Sequence, residues 1–253
     1  MKFQPESITV NGVKVAMLTA GQGEPLLFWH GAGTWTGFDF ALPWASKFRV
    51  LIPFHPGWND SADAPEMTTP GDYVLHYLEM FDQLGLDRVN LVGFSMGGRL
   101  AATFAIEHRE RVRRLVLIAP AGLDVPGHPL PDFKTIPPQE IPGYLAHDVG
   151  ILAPYLPKGP DPEFGAARDR EGGNFGKLMQ NALVGPWLPR WLHRVDMPTF
   201  IAWGDKDRIL SPAHAAEWKK LIPHATVRIF PDAGHLVADE KPECVEAISN
   251  FLL

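Results

Sequence analysis

Residues 93–98 read Gly-Phe-Ser-Met-Gly-Gly, between a Val-Asn-Leu-Val run at 89–92 and a stretch with helical spacing at 99–108. A chain passing from strand to helix in so few residues must turn tightly, and glycines flanking Ser95 remove the Cβ atoms that would collide. Such a turn pushes the serine hydroxyl into a cleft on strained backbone. The helix start directly behind it brings unpaired N–H groups and partial positive charge to the place where an oxyanion would form. In that context Ser95 is expected to be a nucleophile rather than an incidental residue of a glycine-rich turn.

A serine hydroxyl is a weak nucleophile at neutral pH, so a base and a carboxylate that orients it must lie elsewhere in the chain. Two later segments offer them. After an apolar run at 200–203 comes Gly204-Asp205-Lys206-Asp207, and after another at 227–230 comes Pro231-Asp232-Ala233-Gly234-His235. In a parallel sheet both would emerge at the carboxyl ends of strands, on the same edge as Ser95, where ligands of open α/β sheets bind.

Short Val-, Ile- and Leu-rich runs alternate with longer amphipathic stretches, the pattern of a mostly parallel sheet with helices on both faces. Runs at 7–10 and 13–18 flank Asn11-Gly12, which favours a type I′ hairpin turn; runs at 26–29, 50–52, 89–92, 115–118, 200–203 and 227–230 complete an eight-stranded sheet. Helical spacing occupies 70–84, 96–108, 212–221 and 242–252, and Thr69, Ser211 and Lys241 each precede a proline at a first turn. Residues 121–196 break the alternation with many Pro and Gly and with aromatic patches. A structureless loop of that length is improbable in a compact domain. The expected organisation is a core of 1–120 and 197–253 with an inserted, mainly helical cap at 121–196; the alternative for part of it, especially 158–163, is loop or disorder.

Composition narrows the function. The net charge of −6 disfavours nucleic acid, and the one basic cluster, 109–114, is broken by Glu110 and reads as a helix end entering a strand. Cys244 is the single cysteine, so no intrachain disulfide forms. The first residues lack the apolar core of a signal peptide and no run approaches the roughly 18 residues that span a bilayer. A cytoplasmic protein with no membrane partner is expected. No His-x-x-x-His pair with a carboxylate suggests zinc, so no metal or cofactor is expected. His193, His214 and His224 read as solvated or capping residues.

With these motifs in place, the chain resembles the α/β-hydrolase superfamily over nearly its whole length, only the cap being uncovered. The resemblance implies a catalytic triad in the order Ser95, Asp207, His235. In the family pattern the acid stands third after the glycine that ends its strand, which selects Asp207 and leaves Asp205 as a turn residue. His30-Gly31-Ala32-Gly33 resembles the family's HG-x-G turn, and its register assigns the oxyanion donors to the N–H groups of Ala32 and Met96, with His30 holding the loop. A serine nucleophile sets the chain apart from the family's dehalogenases and epoxide hydrolases, which attack with Asp.

The implied activity is that of a carboxylesterase, cleaving esters of small or medium size through an acyl-enzyme. Hydrolases of carbon–carbon bonds in ring-fission products share the length, loop and cap, yet usually carry Asn before the serine and Trp after the histidine, where this chain has Phe94 and Leu236. Enol-lactone hydrolases share the elbow and a small cap. Serine perhydrolases usually carry an aromatic residue at the position of Ala32. A non-catalytic ligand receptor on the same fold is the alternative of another class. The expected partner is a small ester or related acyl compound, the expected state a monomer or homodimer. Phe164, Phe175, Leu183, Trp187, Leu188 and Trp191 either line an apolar pocket or pack the cap onto the core, so no substrate-binding residue is assigned.

Overall fold

Asn11 and Gly12 both take positive φ, 48° and 82°, and turn β1 (Gln4–Val10) back on itself as β2 (Val13–Ala20), with Val10 opposite Val13. A computed structural model describes residues 1–133, 135–181 and 183–253. The other strands are β3 (Pro25–Trp29), β4 (Arg49–Pro53), β5 (Val89–Phe94), β6 (Val112–Ile118), β7 (Thr199–Gly204) and β8 (Thr226–Phe230). They form one eight-stranded sheet in the order β1-β2-β4-β3-β5-β6-β7-β8. β1 and β2 pair antiparallel, β2 meets β4 antiparallel, and every later pairing is parallel.

The helices are α1 (Pro70–Gln83), α2 (Met96–Glu107), α3 (Pro142–Leu145), α4 (Pro162–Gln180), α5 (Trp187–Trp191), α6 (Ala213–Leu221), α7 (Val237–Glu240) and α8 (Pro242–Leu252). Strand residues alternate between two cores, as a pleat of period two requires. Leu27, Leu91, Leu115 and Leu117 face α1 and α2, while Phe28, Val92, Val116 and Ile118 face α8 and the 3-10 turn Asp39–Ser46. Both faces are thus covered, which is why the central strands read as continuous apolar runs. Thr69 closes a capping box with Asp72 at the start of α1. Lys241 makes no side-chain cap, and α6 begins one residue after Pro212.

Between β6 and β7, α4 is the one long helix among the described residues, beginning at Pro162 where the side chain of Asp161 accepts from Phe164 N–H at 2.9 Å. Residues 158–161 carry neither helix nor strand, nor do 121–133. Leu183 and Leu188 are wholly buried in the main core, with Phe175 packed against it. Trp187 and Trp191 keep 39% and 38% of their surface exposed, so packing covers the aliphatic members of the patch fully and its tryptophans in part, Arg99 lying over the Trp187 ring at 5.5 Å. Among the described residues no helix is long and apolar enough to cross a membrane.

β3 lies at the centre of the order, its chain leaving toward β4 on one side while β5 continues toward β6 on the other. Loops that diverge from adjacent strands open a crevice at the carboxyl edge, the place where such sheets bind ligands. Trp29 pairs with Gly93 at that edge. The 30–33 turn and Ser95 therefore start side by side.

Candidate active site

Ser95 stands between β5 and α2 with φ 52° and ψ −115°, a conformation that costs a non-glycine residue about 1 to 3 kcal/mol. Close packing holds it there. A Cβ on Gly97 would lie 2.1 Å from the Trp29 carbonyl oxygen, and one on Gly93 would lie 2.5 Å from that of Gly97. Both contacts are with backbone, which cannot move aside. Gly97→Ala is accordingly expected to lower stability by about 3 kcal/mol or more, read as the shift in urea midpoint; an unchanged midpoint would contradict the close approach.

Two loops bring the remaining groups to Ser95. Asp207 follows β7 and His235 follows β8, and both are buried, at 5% and 3% exposure. His235 Nδ1 lies 2.8 Å from Asp207 Oδ2, and His235 Nε2 lies 2.9 Å from Ser95 Oγ. Asp207 Oδ1 is already occupied, accepting from the N–H groups of Ile209 and Leu210, each at 2.9 Å. The carboxylate can therefore turn only Oδ2 to the imidazole. That places the ring proton on Nδ1 and leaves the Nε2 lone pair facing the serine hydroxyl. Asp205, by contrast, ion-pairs with Lys206 at 2.9 Å on the surface, and Lys206 N–H joins the two loops by donating to the Ala233 carbonyl at 2.8 Å.

The third loop is 30–34. His30 is fully buried, and its ring is held at both nitrogens: Nε2 accepts from His55 N–H at 3.0 Å and Nδ1–H donates to the Gly31 carbonyl at 2.7 Å. A trans peptide points its C=O and N–H in opposite directions, so fixing the Gly31 carbonyl on the imidazole turns the Ala32 N–H away from it. Trp58 Nε1–H donates to the Ala32 carbonyl at 2.8 Å and fixes the next peptide. Met96 is the first residue of α2, so its N–H has no acceptor within the helix. The structure thus brings together Ser95, Asp207, His235, Met96 and the 30–34 loop.

Several groups around this site were not visible in spacing. His55 donates Nε2–H to the His30 carbonyl at 2.9 Å and accepts at Nδ1 from the Tyr77 hydroxyl. Glu240 accepts from Gly234 N–H at 2.6 Å and from Asp148 N–H at 2.7 Å, tying the His235 loop to the 121–196 segment. Leu236 N–H donates to the Leu145 carbonyl at 2.9 Å. Leu236 is buried with Ala146 and Leu152, and Trp35, Phe94, Leu145 and Ile151 pack on them. The Phe94 and His235 rings are 4.9 Å apart, so this apolar cluster abuts the base. His214, expected on the surface or as a cap, is buried: its ring stacks on Trp203 and its Nδ1 bonds the Ser211 carbonyl.

The buried histidines set a pH dependence. Burial lowers His55 and His76 from 6.5 to about 4, and burial together with the neighbouring His55 takes His30 well below its ordinary value. Between pH 6.5 and 4 the unfolded chain binds more protons at these imidazoles than the folded chain, so their stabilisation is lost as pH falls. Burial raises Asp239 to about 7, so the folded chain holds one extra proton there from about pH 4 to 7 and that contribution is lost as pH rises. Burial lowers His214 as well and raises Glu107, so four imidazoles outweigh two carboxyls; His55 alone is worth roughly 3 kcal/mol at neutral pH. The melting temperature is expected to fall steadily from pH 6.5 to 4.5, and a flat curve would contradict the assignment.

Comparison with known proteins agrees with this architecture. A 2-hydroxy-6-oxo-6-phenylhexa-2,4-dienoate hydrolase of Burkholderia cepacia is 29% identical over 252 residues, covering 89% of this chain and 86% of that protein. The crystal structure of a membrane phospholipase A, described as a bacterial virulence factor, superposes with a TM-score of 0.85 at 25% identity over 99% of this chain and 86% of that one. The 2-hydroxy-6-oxo-6-phenylhexa-2,4-dienoate hydrolase of Rhodococcus sp. strain RHA1 superposes with a TM-score of 0.80 over 98% of this chain and 97% of that one, and at 20% identity it speaks for the fold alone. The model of the alpha/beta hydrolase family matches residues 26–247. Sheet order, elbow and sequence match agree: the chain belongs to the alpha/beta hydrolase family.

Proposed function

We propose that this hydrolase is a serine enzyme that cleaves carboxylic esters of small or medium size through an acyl-enzyme on Ser95. The observation that carries the proposal is the relay from Asp207 through His235 to Ser95 at 2.8 and 2.9 Å, with the second oxygen of Asp207 already bonded. His235 Nε2 takes the proton of Ser95 Oγ as that oxygen bonds to the acyl carbon. The oxyanion that forms accepts from the N–H groups of Ala32 and Met96. As the tetrahedral intermediate collapses, the bond to the leaving oxygen breaks and His235 delivers the proton to it. Water then attacks the acyl-enzyme by the same route, its proton passing to His235 and on to Ser95 Oγ as the acid leaves. The 121–196 segment serves as the cap, and Trp35, Phe94, Leu145, Ile151 and Leu236 supply an apolar wall suited to an acyl chain.

A second reading is hydrolysis of a ring-fission product at a carbon–carbon bond. It is favoured by the dienoate hydrolase of Burkholderia cepacia, which matches 89% of this chain. Phe94 and Leu236, where such enzymes usually carry Asn and Trp, tell against it. Nitrophenyl esters of two to ten carbons and 2-hydroxy-6-oxo-6-phenylhexa-2,4-dienoate, assayed side by side, separate the two. The ester proposal expects multiple turnover across the short and medium esters. Turnover of the dienoate with inert esters would replace it with the second reading.

A further inference from the structure

The middle of α4 docks through polar groups, while Phe175, Leu178 and Met179 in its last turns pack on the main core. Of its 19 residues the buried ones are Leu178 and the carboxylate Glu171. Burying a carboxylate is costly unless its oxygens are bonded, and here they are. Glu171 Oε2 accepts from Thr34 N–H at 3.1 Å, and Oε1 accepts from the Thr34 hydroxyl at 2.5 Å and from Asn59 N–H at 3.4 Å. Neighbouring side chains of α4 dock elsewhere: Arg170 reaches Asp63 and the carbonyls of Asn59 and Ser61, each at 2.7 Å, and Asn174 reaches the Gly57 carbonyl at 3.0 Å. Of these three side chains, Glu171 alone grips the 30–34 loop.

That loop is otherwise held from the core side, by His30 on the Gly31 carbonyl and Trp58 on the Ala32 carbonyl. Glu171 supplies a further pin from α4, at Thr34, two residues past Ala32. We propose that Glu171 is a positioning residue that latches α4 to the oxyanion loop, so that the Ala32 N–H is in place only while α4 is docked. The role rests on the serine-hydrolase proposal for its catalytic consequence. The latch itself is a structural claim that can be tested without a substrate.

Wild type, Glu171→Ala and Glu171→Gln are compared with a nitrophenyl ester, kcat being expressed per site titrated with a fluorophosphonate. A displaced oxyanion donor weakens binding of the transition state and leaves ground-state binding nearly intact. Glu171→Ala is expected to lose about 10- to 100-fold in kcat with KM within about threefold and the titrated fraction unchanged. Glu171→Gln is expected to recover most of that loss, because its amide oxygen still accepts from Thr34 N–H. An unchanged kcat in Glu171→Ala, or a loss accounted for entirely by fewer titratable sites, overturns the proposal. In a second arm, hydrogen exchange over 30–36 and 165–176 is expected to rise together in Glu171→Ala, and unchanged exchange at 30–36 overturns the latch. Should wild type neither turn over substrates nor take the label, the serine-hydrolase proposal fails, and the exchange arm still decides the latch.

Discussion

Ser95→Ala is expected to lower kcat/KM by roughly a millionfold while leaving the fold intact. The substitution keeps the Cβ that the left-handed backbone at φ 52° already tolerates, so no new strain is introduced. It removes only the Oγ that His235 Nε2 faces at 2.9 Å. Without it no acyl-enzyme forms, and the remaining rate over water comes from binding and from the N–H groups of Ala32 and Met96. Assay of ester turnover beside a melting curve checks both halves. Activity within tenfold of wild type at unchanged stability would remove Ser95 from the chemistry.

Asp207→Asn is expected to cost about 10⁴-fold in kcat, although the side chain is nearly the same shape. Asp207 Oδ1 accepts from two backbone N–H groups, at 209 and 210, and an amide must keep its oxygen there, since an NH2 group could not accept from either. The amide nitrogen is then forced toward His235 Nδ1, where it donates. His235 must answer by accepting at Nδ1 and carrying its proton on Nε2, facing Ser95 with a donor where a base is needed. Activity of the variant should rise with pH, as hydroxide takes over the work of the base. A loss of less than tenfold would show that the carboxylate does not set the tautomer.

The parts of the site that repeat a local pattern were legible in the chain. Ser95 announced itself because strand, glycines and helix start are contiguous, and His235 because it closes the loop after a strand. All eight strands could be read: the central ones because a sheet covered on both faces makes them continuous apolar runs, β1 and β2 because they flank the Asn11-Gly12 turn, and the edge strand β8 from its run at 227–230. Asp207 was separable from Asp205 only through the family resemblance; the structure separates them by burial. Glu171, Glu240, His55 and Trp58 were not legible. Each acts on a loop far from it in sequence, as Glu171 does on Thr34, 137 residues away, and no periodicity records such a pairing. α4 hid most of its docking face for the same reason: through its middle it is held by a carboxylate, an arginine and an asparagine, and its apolar spacing at Phe175, Leu178 and Met179 is confined to the last turns. The 3-10 turn Asp39–Ser46 was missed because Pro43 lies inside it and masks its helical spacing.

The central claim is that Ser95 is the nucleophile and that His235 activates it. A fluorophosphonate probe, mapped by peptide mass in wild type and in His235→Ala, tests this most directly. The account predicts one label per chain on Ser95 in wild type, and labelling slowed by at least about a thousandfold in the variant. A label on any other residue, or labelling of Ser95 at the same rate without His235, would contradict it.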